Sequence, residues 1–298
     1  MGALEGYEVL HQACGVLPDL GLALIELTGE DRLEWLQGQA TNDLRGLEPG
    51  VRRSFCLCEA TGQIVAVCDL WMHENRFLIV TDVDAAPAVM RRVETMVILE
   101  DVAARDLTPG YRLVSIQGAA ALDAITADLP EAAFSLRSDR LSWPGYDVWV
   151  PKGTLWDLGL PVIDEASCEV ARIEAGVPKR GVDYTSKTLP PELGPAFEAR
   201  YVSYSKGCYM GQEVLMRIHS RGHTNKTWVG LALDAPVQAG EAVSSSERED
   251  AGVITSAAVS PRLGPIAAAM LRNEAAAEGA EIKVGAAKGR VTPMPFAR

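Results

Sequence analysis

The chain has 298 residues, of which 48% are hydrophobic and 23% are charged, a composition typical of a globular protein with apolar cores. A formal net charge of −12 argues against a nucleic-acid-binding surface, so we expect no direct nucleic-acid partner. No apolar run approaches the length of a membrane span and no basic, apolar leader opens the chain, so we expect a cytoplasmic protein without a membrane partner.

The N-terminal third predicts an α+β domain with an antiparallel sheet. Residues 21–27 are typical of a strand, and residues 31–39 of a helix that ends before the turn Thr41-Asn42-Asp43. Two apolar runs joined by Thr61-Gly62-Gln63 then predict a strand pair, and residues 76–82 a third strand. Taken alone, Asn42 is an ordinary turn residue.

The rest of the chain predicts a second α+β half and a small barrel. A new strand–helix–strand pattern starts near residue 111 and parallels the first, which indicates two similar halves. Six short apolar runs follow residue 226, with Gly, Pro and Ser between them, as in a small antiparallel barrel. We therefore predict one region at residues 1–224, with its second half beginning near 111, and a barrel domain at 225–298.

A helix ending in Glu174 is the first candidate functional stretch. Arg172 belongs to this helix, which Gly176 and Pro178 are expected to end. A carboxylate at a helix C-terminus opposes the helix dipole, and a group placed against local preference hints at function. A surface pair between Glu174 and an arginine is the alternative interpretation.

The octet from Lys206 to Glu213, KGCYMGQE, is the second candidate stretch. A helix is predicted from Gln212, with Gly222 ending it in a left-handed cap. Cys208 would then lie just ahead of a helix N-terminus and near Lys206, and both features favour the thiolate. The alternative is that Cys208 is a small buried residue in a tight loop.

Metal ligands are not expected. The six cysteines form no CxxC pair, which argues against a zinc ribbon or a ferredoxin-type cluster site. His219 and His223 lie four residues apart, but Gly222 interrupts the predicted helix between them. We therefore predict no metal site in this chain.

The octet, the apolar helix after it and the R-G-x-x-x-K segment closely resemble the signature of the YgfZ-type folate-binding proteins. These proteins are relatives of the glycine-cleavage T-protein (aminomethyltransferase) and support iron–sulfur enzymes. Residues 172–176, RIEAG, match the R-[IL]-E-x-G motif of the same family, and the G-x-D and L-P-x-E segments follow at 181–183 and 189–192 as they do there. The resemblance covers about residues 21–296.

The resemblance implies a fold, a cofactor and site residues. It implies two α+β halves with antiparallel sheets around a central folate pocket, plus a C-terminal antiparallel β-barrel, with tetrahydrofolate or a derivative as cofactor. Cys208 would be the reactive group. A carboxylate can hold the amino-imine edge of a pterin through two parallel hydrogen bonds, and the resemblance gives this role to Glu174. The remaining folate contacts that it implies are the pocket residue Asn42, Lys206 and, for the anionic tail, Arg217 and Arg221.

One departure from the family pattern bears on activity. T-protein enzymes resemble one another in a G-G-x-x-D-D turn and strand, whose first aspartate is implicated in the chemistry. Alignment on Gly62 places Ala66 and Val67 at the two acidic positions, and a methyl group cannot accept a proton. Asp69 is the nearest carboxylate, in another register, and we interpret it as a strand-edge residue.

Three hypotheses follow. The first is a folate-binding accessory protein that helps to assemble or repair iron–sulfur clusters, with client enzymes such as tRNA-modifying radical enzymes, or assembly proteins, as partners. The second is a tetrahydrofolate-dependent aminomethyltransferase, so one-carbon transfer is left open. The third is a non-catalytic scaffold that has lost the ligand.

Overall fold

The computed structural model of the chain describes residues 5–73, 75–125 and 129–296, with the side chain of Arg221 outside that description. In these ranges the chain forms a five-stranded antiparallel sheet, a four-stranded antiparallel sheet and a closed six-stranded antiparallel barrel. The predicted α+β class with a C-terminal β-barrel is confirmed.

The helices are short, and within the described ranges none is long and apolar enough to cross a membrane. They are α1 (Glu5–Gln12), α2 (Arg32–Gln37), α3 (Ala86–Met96), α4 (Glu165–Glu174), α5 (Pro195–Tyr201) and α6 (Gln212–Arg221). The strands of the two sheets are β1 (Gly15–Val16), β2 (Leu22–Thr28), β3 (Arg52–Cys58), β4 (Ile64–His73), β5 (Arg76–Asp82), β6 (Ala103–Asp106), β7 (Tyr111–Gln117), β8 (Phe134–Ser138) and β9 (Gly145–Pro151). The barrel strands are β10 (Lys226–Leu233), β11 (Ala242–Ser245), β12 (Gly252–Ser260), β13 (Gly264–Arg272), β14 (Glu281–Val284) and β15 (Ala287–Thr292).

The first sheet has the order β3-β4-β5-β2-β6 and is covered on one face by α2 and α3. Leu36 from α2 and Val89 from α3 are fully or nearly fully buried against the strand residues Ile25 and Leu70. Ala23, Ile25 and Leu27 of β2 belong to this cluster and Leu24 to another, as the two-residue period of a strand predicts. The opposite face of the sheet is therefore free to meet the second half of the chain.

The two sheets pack face to face through large aromatic side chains. Trp71 of the first sheet and Trp149 of the second, whose strand order is β1-β7-β9-β8, belong to one buried cluster together with Leu24 and Phe134. The indole nitrogen of Trp71 donates a hydrogen bond to the carbonyl of Arg137, 3.0 Å away. The contact between the halves is thus apolar at its centre and fixed by a directional bond at its edge.

The N-terminal segment belongs to the second half rather than to the first. Strand β1 pairs antiparallel with β7, and α1 contacts α4. The two halves are therefore not contiguous in sequence, which the pattern of strands and helices did not indicate.

The barrel joins the sheets through helix α4. Ile173 from α4 packs in one buried cluster with Ile266 and Phe296 from the barrel domain. The helix ends as predicted at Gly176, which has a φ of 63° and lies against the backbone of Pro295. A side chain at Gly176 would require both a strained backbone and a displaced barrel segment.

Candidate functional site

A cavity of about 390 Å³ lies where β4 and β5 of the first sheet meet α4 and α5. Its volume falls in the range of about 300–1,000 Å³ that is usual for small-molecule sites. Apolar side chains and a set of charged groups line it together. The charged residues of the lining include Asp69, Asp82, Arg140, Glu169, Arg172 and Lys179.

Asp69 and Arg140 form one wall of the cavity and join the two sheets. Arg140 lies 3.0 Å from Asp69 through Nη1 and 2.9 Å from Asp147 through Nε. Ser54 donates a further hydrogen bond to Asp69 at 2.6 Å. Burial opposes the charge on Arg140, but the carboxylates of Asp147 and Asp69 outweigh it and raise the pKa of the guanidinium. The expected strand-edge position of Asp69 is wrong, because this residue is buried in the middle of β4.

Glu169 and Arg172 form a second ion pair on the α4 side. Arg172 donates two hydrogen bonds of 3.0 and 2.6 Å to Glu169. It also donates to Asp183 at 2.7 Å and to Ser256 of the barrel at 2.8 Å. The R-I-E and G-x-D motifs of the sequence thus meet in a buried pair, which ties the sheets to the barrel. A bidentate pair of this kind fixes geometry as well as charge.

Asp82 differs from these paired acids. It ends strand β5 at the cavity, is partly buried, and accepts a hydrogen bond of 3.2 Å from the hydroxyl of Tyr184. Among the described residues Asp82 forms no ion pair. Burial raises the pKa of its carboxyl group, as expected for an acid that lacks a cation partner.

Two stacked aromatic side chains line the same cavity. The rings of Phe197 and Tyr201, one turn apart on α5, are 4.2 Å apart and nearly parallel. Val67 also lines the cavity, whereas Ala66 is buried in the core on the other face of the sheet. Positions 66 and 67 align with the two T-protein acids. Of these, position 67 faces the cavity, and its side chain is apolar.

The octet of the sequence does not lie at the cavity. Cys208 is exposed in the loop before α6 and is not among the described residues that line the cavity. Lys206 points away from it, since its ammonium donates to the carbonyls of Gln37 and Ala40 at 2.5 Å, just beyond the C-terminus of α2. The position of Lys206 thus gives no support to a folate contact, because this side chain is anchored in the first half.

The ends of α6 differ in part from prediction. The helix starts at Gln212 as expected, after Gly211 with a φ of 86°, where a Cβ would lie 2.6 Å from the carbonyl of Glu59. This close approach explains the second glycine of the octet. The left-handed cap at Gly222 is wrong, because its φ of −134° is extended.

The other predicted folate contacts are dispersed. Asn42 donates to the carbonyls of Ser54 and Arg200 at 2.8 and 2.9 Å, so its side chain fastens a turn. Arg217 is exposed and pairs with Glu213 on the surface of α6. The side chain of Arg221 lies outside the described part of the chain.

Glu174 is buried at the joint between α4 and the barrel. Its carboxylate accepts hydrogen bonds from Tyr7 at 2.9 and 3.0 Å and from Ser260 of β12 at 2.5 Å. It is 1% exposed and is not among the described residues that line the cavity. In this geometry the carboxylate connects three segments of the chain, and the predicted pterin contact has no support from its position.

The sequence analysis did not identify Asp69 and Arg140 as residues that line the cavity. Asp69 follows Val67 by two residues, so both face the same side of a strand, and a carboxylate in such an apolar run is a usable signal. Its partner Arg140 is 71 residues away and has no comparable signature. Within the described residues no cluster of His, Cys, Asp and Glu is arranged to hold a metal ion.

Two family models match this chain. The GCVT N-terminal domain matches residues 3–148, and the glycine cleavage T-protein C-terminal barrel domain matches residues 226–297. The first match spans the first sheet and most of the second, and the other spans the barrel.

Similar proteins match two thirds or more of the chain. An aminomethyltransferase from Frankia alni is 24% identical over 330 residues, which cover 100% of this chain and 88% of that protein. An uncharacterized protein from Haemophilus influenzae is 28% identical over 203 residues, covering 67% of this chain and 66% of its own length. The crystal structure of the glycine cleavage system aminomethyltransferase T from Bartonella henselae superposes with a TM-score of 0.84 at 21% identity, covering 99% of this chain and 90% of that one. The likeness to the Bartonella protein is one of fold.

Proposed function

The chain matches the models of both glycine cleavage T-protein domains, and from this premise we propose that it is a member of that family and binds tetrahydrofolate or a derivative in the cavity between β4, β5, α4 and α5. We propose further that it acts as an accessory protein in the assembly or repair of iron–sulfur clusters in client enzymes, of which tRNA-modifying radical enzymes are one class.

The make-up of the cavity supports a folate ligand. A pterin is flat, and the stacked rings of Phe197 and Tyr201 offer it an aromatic wall. Asp82 supplies a carboxylate with spare acceptor capacity, and Lys179 supplies an exposed cation for an anionic tail. This combination of an aromatic wall, an acid and a cation in one cavity is the observation that carries the proposal.

An accessory role is favoured over aminomethyl transfer by the cavity face of β4. Val67 faces the cavity where an acid would be needed, and it cannot orient an amine or accept a proton. Asp69, two residues further, is engaged by Arg140 and Ser54. A carboxylate held in this way is poorly placed to act as a general base.

Aminomethyl transfer remains the second candidate, since several relatives carry that name and Asp69 does reach the cavity. It would require that the Asp69–Arg140 pair open when substrate binds. An assay of tetrahydrofolate-dependent ammonia release from an aminomethyl-lipoyl protein separates the two functions. We expect no release above background, and steady turnover would establish the transferase instead.

The exposed loop around Cys208 supports a role toward other proteins. Lys206 and Gly211 fix both ends of this loop, and Cys208 is the exposed thiol among the described cysteines. A thiol on a fixed loop is available to a client enzyme or an assembly protein. We propose Cys208 as the reactive group, with its loop as the contact.

Titration calorimetry with tetrahydrofolate tests ligand binding. We expect saturable binding at one site in each chain, and a wild-type protein that shows no saturable heat would be a scaffold. The accessory role is tested by comparing activities of iron–sulfur enzymes in cells that contain wild type, Cys208→Ser or no copy. Equal activities in all three would refute that role while leaving folate binding intact.

A further inference from the structure

The carboxylates that line the cavity are not equivalent. Asp69 is held by Arg140, and Glu169 is held by two hydrogen bonds from Arg172. Asp19 and Glu165 are exposed at the rim. Asp82 is the partly buried acid that combines a place in the cavity wall with no ion pair among the described residues.

The cations nearest to Asp82 are committed to other groups. Arg180 donates to Asp84 at 3.2 Å and to the carbonyl of Val65 at 3.1 Å. Arg140 is held between Asp69 and Asp147. Neither guanidinium can therefore form an ion pair with Asp82 without breaking bonds that it already makes.

Tyr184 orients this carboxylate. Its hydroxyl donates to one oxygen of Asp82, and burial together with the nearby Asp82 raises the pKa of the phenol, so Tyr184 remains a donor at neutral pH. A carboxylate has about four acceptor sites, and Tyr184 occupies one of them. The other oxygen and the remaining lone pairs are left for a ligand.

We propose that Asp82, held by Tyr184, selects the ligand of this cavity by accepting two parallel hydrogen bonds from adjacent N–H groups on a flat heterocycle. The edge of a 2-aminopyrimidin-4-one ring presents such a pair. Lys179, on the rim of the same cavity, pairs with a carboxylate tail on the ligand. The identity of the ligand rests on the proposed folate function. The pair of N–H donors on the edge of the ligand is inferred from Asp82 alone.

The test is calorimetric titration of four proteins with three probes. The proteins are wild type, Asp82→Asn, Lys179→Ala and Asp157→Asn, the last a matched control at an exposed aspartate outside the described cavity lining. The probes are tetrahydrofolate, 6-hydroxymethylpterin, which has the edge but no tail, and guanosine, which has the edge on another ring system.

We expect Asp82→Asn to weaken the binding of tetrahydrofolate and of 6-hydroxymethylpterin by at least about tenfold, because the amide N–H group of Asn would face an N–H group of the ligand. Asp157→Asn should bind tetrahydrofolate and 6-hydroxymethylpterin within about twofold of wild type. Lys179→Ala should weaken the binding of tetrahydrofolate but leave the affinity for 6-hydroxymethylpterin unchanged. Thermal unfolding of each variant checks that it is folded.

The outcomes separate the two proposals. Binding of tetrahydrofolate that is equal in wild type and Asp82→Asn would overturn the role of Asp82 and leave the folate function standing. Binding of guanosine in an Asp82-dependent manner, without binding of tetrahydrofolate, would uphold Asp82 and overturn the folate function. Wild type that binds none of the three probes would overturn both.

Discussion

The guanidinium of Arg140 lies 3.0 Å from the carboxylate of Asp69, and this contact crosses the boundary between the two sheets. The same guanidinium also binds Asp147, which is fully buried. One side chain thus neutralises two acids that belong to different halves of the molecule. The wall of the cavity and the joint between the sheets depend on the same residue.

Replacing Arg140 by Ala should destabilise the protein by about 3–5 kcal/mol, because it removes the guanidinium that binds two buried carboxylates and leaves Asp147 without an ion pair among the described residues. Urea denaturation measures the loss. The control is Arg217→Ala, which removes an exposed pair with Glu213 and should change the free energy of unfolding by less than about 0.5 kcal/mol. Equal losses in the two variants would contradict the role given to Arg140.

Replacing Glu174 by Gln should lower the stability by about 1 kcal/mol and leave tetrahydrofolate affinity within about twofold. The reason is that the carboxylate accepts from Tyr7 and Ser260 and lies away from the cavity lining. Tyr7→Phe removes one of these bonds from the other side and is the matched control. A folded Glu174→Gln protein with affinity reduced tenfold would restore the pterin contact that the sequence predicted.

Lys206 should make stability depend on pH in the alkaline range. Burial lowers the pKa of its ammonium from 10.5 to about 8, so the folded protein releases this proton at a lower pH than the unfolded chain. Between about pH 8 and pH 10.4 the unfolded state binds more protons, and the contribution of Lys206 to stability rises with pH. The stability of wild type relative to Lys206→Met should therefore increase across this window, and a difference that stays flat would contradict the shift.

Cys208 should react with iodoacetamide faster than the other five thiols near neutral pH. Cys208 is exposed, whereas burial raises the pKa of Cys58 to about 12 and that of Cys168 to about 11. Mass spectrometry of tryptic peptides after short labelling times measures each site, and Cys208→Ser should abolish the fast phase. Labelling of Cys168 at the same rate would show that exposure does not govern reactivity here.

The fold was predictable to a large extent because its signals are local. Alternating apolar runs separated by Gly, Pro and Ser are enough to indicate antiparallel strands, and the short runs after residue 226 are typical of a barrel. Helix α4 and its end at Gly176 also follow from local preference. The pairing of β1 with β7 has no local signal, since it joins residues about a hundred positions apart.

The site was predicted less well because motif and cavity do not coincide. Lys206 and Gly211 in the octet are explained by anchoring and close packing, and Arg172 and Glu174 by the joint with the barrel. A motif shows that positions are constrained, and a structural joint constrains residues as strongly as a ligand does. Asp82 could be identified only from the structure. Unlike Asp69 and Glu169, it forms no ion pair among the described residues, and the sequence does not show this.

The hydrogen bond between Tyr7 and Glu174 joins positions 167 residues apart in the sequence. Ser260, a further 86 residues along the chain, donates to the same carboxylate. Three distant segments thus converge on one buried acceptor, and closing such long loops costs conformational entropy. We therefore expect the docking of helix α1 onto α4 and the barrel to be a slow step of folding.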